Sequence, residues 1–204
     1  MREYKPIRVT SVLNFVESAW KEYWWRKVGF EAADKITKES SEFGTRVHKI
    51  VEQALMEQIT GSEQVNEARC SNAILGWLLC NSVTPLFGSY EKSLEIKVED
   101  KKLGLIGHFD YAALVDGVPT IVDFKTSNQM RKSFPLQKAA YAHMANQMFG
   151  CKIDQGLTIR AHWNKETQQV EFETKLYTNL IKKYWPIFKV CLGIYKYFTR
   201  AEKA

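Results

Sequence analysis

Asp123 and Lys125 stand two residues apart at the end of the apolar run Thr120-Ile121-Val122-Asp123-Phe124-Lys125. In a strand, side chains alternate between faces, so this acid and this base point the same way. A second acid, Asp110, ends Gly107-His108-Phe109-Asp110 and closes another strand-like run thirteen residues earlier. Two carboxylates and an ammonium converging on one phosphate suit metal-assisted cleavage of a phosphodiester. The carboxylates are hard oxygen ligands, and a divalent cation bridging them offsets their mutual repulsion. The ammonium of Lys125 can orient a water and stabilise charge developing on phosphorus, while Thr126 and Ser127 offer hydroxyls to the next phosphate. A hairpin with a cross-strand Asp–Lys ion pair uses the same residues, and one such spacing does not separate the two readings.

Further residues weigh toward chemistry. Gly44-Thr45-Arg46-Val47-His48 places an imidazole on a helix beside its apolar stripe, where the neutral ring can complete a metal shell. Gln137 and Tyr141 lie one helical turn apart, directly after the strand that carries Asp123 and Lys125. Glu95, upstream of the strand that ends in Asp110, is a third carboxylate.

Positioning these groups requires helices first and a sheet after them. Ser11 can cap a helix through Val12, Phe15, Val16, Ala19 and Tyr23, with a break near Gly29. A second helix is predicted from about Ser41, burying Phe43, Val47, Ile50, Val51, Ala54 and Leu55 and stopping near Gly61, and a third over residues 66–82. The period then changes to two: residues 93–98, 103–115 and 118–125 read as strands, with Asp116-Gly117 as a hairpin turn. Pro135 can start a helix from Leu136 to about Phe149, then strands follow over 157–163 and 170–174, then a closing helix. The expected fold is α/β, a central mixed β-sheet flanked by helices with the site where Asp110 and Asp123 meet.

With 204 residues and 45% apolar content, one domain spans 1–204: a helical region over 1–40, a motif-bearing core over about 41–175, and a basic helix over about 175–200. A net charge of +6 attracts polyanions without proving that one binds. Lys175, Lys182, Lys183, Lys189, Lys196, Arg200 and Lys203 crowd the end among aromatics, which predicts an amphipathic helix with a solvated basic face. Trp20, Tyr23, Trp24 and Trp25 can stack bases of a single strand, though a tryptophan-rich helix is more often core. The N-terminus lacks the apolar run of a signal peptide, and no stretch matches a membrane span, so an intracellular, soluble protein is expected. Cys70, Cys80, Cys151 and Cys191 form no CxxC pair, which argues against a zinc ribbon.

In the order GTxxH, Glu, GxxD, DxK, QxxxY, these motifs resemble the RecB-like branch of the PD-(D/E)XK nucleases over residues 44–141. Within that branch Asp123-Phe124-Lys125-Thr126-Ser127 is similar to the DxKTS form of the mitochondrial genome maintenance exonuclease and of stand-alone phage nucleases. The resemblance implies a restriction-endonuclease-like core. It also implies that His48, Asp110, Asp123 and the Phe124 carbonyl hold Mg²⁺ or Mn²⁺, that Lys125 is the catalytic lysine, and that Glu95 is a less constant acid. Gln137 and Tyr141 would position the active strand and contact nucleic acid, with Thr45, Thr126 and Ser127 as further DNA contacts. The implied reaction is metal-dependent hydrolysis of DNA from its ends, preferably single-stranded, leaving 5′-phosphates, in replication, recombination or phage DNA processing. An endonuclease of the same superfamily, or a non-catalytic DNA-binding module that needs a partner, is the alternative. The cysteines do not match the spacing that binds an iron–sulfur cluster in many relatives, so no cluster is expected. No phosphate loop of a helicase is present, which assigns any unwinding to a helicase or another replication or recombination partner.

Overall fold

The computed structural model describes residues 6–57 and 65–201, without the side chains of Trp20, Arg200 and Ala201. Gly61 and Lys203 therefore lie outside the described residues, as do residues 1–5. In chain order the elements are β1 (Ile7–Arg8), α1 (Val9–Val16), α2 (Ser18–Val28), α3 (Phe30–Leu55), α4 (Val65–Cys80), β2 (Thr84–Pro85), α5 (Tyr90–Ser93) and β3 (Leu94–Asp100). There follow β4 (Leu105–Val115), β5 (Val118–Lys125), α6 (Phe134–Phe149), β6 (Gln155–Asn164), β7 (Gln169–Thr178), a π-helical turn (Leu180–Tyr184) and α7 (Trp185–Ala201).

The seven strands form one mixed sheet, and β4 is its organiser. Along one side β4 pairs in parallel with β1 at Leu105 and Ile106, then antiparallel with β5 from Tyr111 onward. On the other side it pairs with β3 and, near its end, with β2. The sheet continues through a parallel β5–β6 pair to the antiparallel β7. Asp116 and Gly117 both have positive φ, the geometry of a tight hairpin turn, as the Asp-Gly pair predicts.

Two cores cover the two faces. On one, α1, α6 and α7 bury Val12, Phe109, Ile121, Tyr141, Met144 and Phe188. On the other, α3 and α4 bury Val47, Val51, Ile74, Tyr111, Val122 and Phe124. Phe109 and Tyr111 thus serve opposite cores although strict alternation would align them, and Leu94 and Ile96 do the same on β3. Both strands change face at the intervening residues, Asp110 and Glu95. Glu95 does so with φ of 49°, a left-handed conformation rare for a side chain of its kind.

Several boundaries differ from the sequence-based expectation. α3 begins at Phe30, not Ser41, because residues 30–40 are helix-compatible but bury only Ala33, so they show no apolar period. It ends at Leu55. α1 starts at Val9 with Arg8 as an N-cap that makes no side-chain hydrogen bond, so Ser11 does not cap it. α2 buries none of its described side chains; Tyr23 is exposed and Trp24 and Trp25 are half-buried, because α2 packs mainly on α1 and α3, at the edge of the fold. α7 buries Trp185, Phe188, Cys191 and Leu192, while its outer face carries Ile187, Val190, Ile194 and Tyr197 as well as lysines. No helix among the described residues is long and apolar enough to cross a membrane.

Candidate metal centre

The β4–β5 ladder stops at Tyr111↔Val122. One further pair would set Asp110 against Asp123; instead the strands part, and β5 runs on against β6 alone. The Phe124 N–H, freed of a β4 carbonyl, donates to Oδ2 of Asp110 at 2.6 Å. The Asp110 carboxylate therefore sits in the mouth of the split, reachable from both layers.

From the α3 side His48 approaches, its Nδ1 3.4 Å from Oδ1 of Asp110 and its ring edge-on to Phe124. β3 brings Glu95 to the same place. Ligand atoms of His48, Glu95 and Asp110 all lie within 4.8 Å of one another. Burial favours the neutral His48 ring, but the charge and hydrogen bond of Asp110 outweigh it and raise the imidazole pKa. Asp110 is likewise desolvated, yet His48, Lys125 and the Phe124 N–H hold its carboxyl below the usual range. Desolvation, then the charges of Asp110 and Glu52, push Glu95 up to about 7.

From the α6 side comes a chain of polar groups. Lys125 donates to Oδ1 of Asp123 at 2.8 Å and to Oε1 of Gln137 at 3.1 Å, and the Gln137 amide donates to the Tyr141 hydroxyl at 3.0 Å. Lys138, fully buried, donates to Oδ2 of Asp123 at 2.9 Å. Burial lowers the Lys138 pKa to about 8 despite that carboxylate. The Phe134 ring lies 5.2 Å from the Lys125 ammonium and 5.6 Å from that of Lys138.

Close packing holds both sides. A Cβ on Gly107 would run into the Tyr141 ring, so only glycine lets α6 lie against β4 there. One on Gly44 would meet the Thr126 hydroxyl at 2.9 Å, which is why α3 can bring His48 so near the end of β5.

Of the residues singled out from sequence, His48, Glu95 and Asp110 come together, and Lys125 and Asp123 face each other as expected. Asp123, expected as a ligand, lies outside that group: it is 2% exposed and each of its oxygens already accepts from an ammonium. Phe124 reaches the cluster through its N–H. Gln137 and Tyr141 are buried, which suits fixing Lys125 and removes them from direct contact with nucleic acid. Thr45 is exposed and its hydroxyl turns back to the Ser41 carbonyl. The Thr126 and Ser127 carbonyls accept from His162 and Arg160, and the Ser127 hydroxyl donates to the Gln129 carbonyl, so this segment is a braced turn. His162 and Arg160 as braces, Glu52 and Lys138 were not legible from residue type. The only trace of Lys138 in the chain is a lone charge inside Leu136-Gln137-Lys138-Ala139-Ala140.

The four cysteines are free thiols, Cys70 and Cys191 buried, and burial raises the Cys70 pKa to about 11. No family model matches the chain, and no curated protein matches it. Among solved structures, one described as "Crystal structure of SSO0001" is similar with a TM-score of 0.46 and 11% identity, covering 96% of this chain and 75% of that one.

Proposed function

We propose that this chain is a metal-dependent deoxyribonuclease with a restriction-endonuclease-like core of the RecB-like kind, hydrolysing phosphodiester bonds from DNA ends. The observation that carries the reading is the convergence of His48, Glu95 and Asp110 at the split between β4 and β5, beside the Lys125–Asp123 pair. One imidazole and two carboxylates fit Mg²⁺ or Mn²⁺ in donor type and spacing, with the Phe124 carbonyl as a proposed further ligand. A bound cation would polarise the phosphoryl oxygens and neutralise charge on them.

The chain's own groups do the rest. Asp123 and Gln137 hold the Lys125 ammonium at a fixed point, 20% exposed and so able to meet a phosphate. From there it stabilises charge developing on phosphorus and orients the attacking water. Asp110 and Glu95 bring negative charge to the same place, which favours a divalent cation there.

End-labelled linear and closed circular single-stranded DNA, incubated with Mg²⁺, Mn²⁺ or EDTA, test this directly. Metal-dependent loss of the linear substrate alone is expected. Cutting of circles would make the protein an endonuclease, and binding of both substrates without cleavage would make it a binding module.

A further inference from the structure

Beside the site, Lys138 is a fully buried charge with no part in the reaction proposed above. Lys138 is 0% exposed, and its stem is enclosed: a Cβ on Gly156 would come within 2.7 Å of its Cδ, and Tyr177 and Phe134 lie beside its ammonium at 5.7 and 5.6 Å. A lysine buried this way is costly unless paired, and among the described residues its hydrogen-bond partner is Oδ2 of Asp123. Lys125 takes Oδ1. Asp123 therefore carries two ammoniums, and the three groups together are cationic.

We propose that Lys138 acts as a resident cation that occupies Asp123 and so restricts the site to one divalent ion, held by His48, Glu95 and Asp110. This rests on the metal-dependent reading above. Lys125, partly exposed, keeps Oδ1 and meets a substrate phosphate from that fixed point, and Lys138, fully buried, keeps Oδ2. A second divalent ion at Asp123 would face that fixed positive charge at ion-pair distance without a free carboxylate oxygen to bind. Lys138 is thus a positioning residue: it sets where Asp123 points and which ions can share it.

Mn²⁺ titration of the whole chain, followed by the electron paramagnetic resonance signal of the free ion, reads the stoichiometry without any turnover. Wild type should saturate at one Mn²⁺, whereas Lys138→Met, which keeps the length and removes the charge, should take up a second. Stripping a buried carboxylate of a partner can unfold a protein, so Asp123→Asn with Lys138→Met, which removes both charges, is the companion variant. It should retain one Mn²⁺. Two ions on wild type, no second ion on folded Lys138→Met, or loss of the ion from the double variant would each overturn the inference. Wild type that binds no Mn²⁺ would overturn the metal reading itself and this inference with it.

Discussion

Glu95 joins backbone strain to electrostatic strain in one residue. Its φ of 49° turns the carboxylate toward Asp110, and its pKa rises to about 7. A left-handed non-glycine residue costs about 1 kcal/mol, so Glu95→Gly should raise stability by roughly that amount while weakening Mn²⁺ binding. Urea unfolding alongside an Mn²⁺ titration checks both halves. The pH dependence follows from the same geometry. Glu95 and His48 both keep a proton to higher pH than usual, and a cation needs both deprotonated. Mn²⁺ affinity should therefore be weak at pH 5.5, climb through about 7 and level off above it; calorimetry in buffers of different ionisation enthalpy should show protons released on binding at low pH and not at high pH. For the metal-free protein the sign is the reverse: the folded state holds these protons more tightly, so stability falls as pH rises through the same window. At this scale the chain was legible where type and spacing sufficed, as for the meeting of His48 with Asp110 and the pairing of Lys125 with Asp123; the ligand role expected of Asp123 was not met, since both its oxygens accept from lysines. Lys138 escaped because only burial sets it apart from a surface lysine.

The element that makes the site is the parting of β4 from β5, with α6 packed against β4 beside it. Gly107 is where that helix lies closest to the sheet. Gly107→Ala should crowd Tyr141 and destabilise the fold by about 1–3 kcal/mol, and thermal unfolding checks it. Tyr141→Phe, which removes only the hydroxyl that accepts from Gln137, should be milder for stability yet still slow cleavage by loosening Lys125. The hairpin of β4 and β5 and the helix α6 were legible because Asp116-Gly117 and Pro135 punctuate clear apolar runs. The first turns of α3 were not, since polar residues on an exposed helix carry no period. β1 and β2, two residues each, are defined by pairing with β4 and have no local signature.

Across the whole molecule, the two layers contribute different halves of one centre. α3 and β3 bring groups that suit a cation, and Gln137 of α6 holds Lys125, the residue proposed to meet the phosphate; β4 and β5 join them. Neither half is complete alone, and a net charge of +6 favours a polyanion approaching the mouth between them. That α/β layering was foreseeable from the order of periods along the chain. Which carboxylates gather beside His48 was not, because the change of face at Glu95 and Asp110 breaks the alternation from which it would be read. The central claim is that cation binding and the lysine are separable parts of one reaction. Its most direct test is Mn²⁺ binding and single-turnover cleavage of linear single-stranded DNA, measured on the same samples of wild type, Lys125→Ala and Asp110→Asn. Lys125→Ala should bind Mn²⁺ normally and cleave on the order of 10²–10³-fold more slowly, and Asp110→Asn should lose both; cleavage by Asp110→Asn at the wild-type rate, or by wild type in EDTA, would contradict the account.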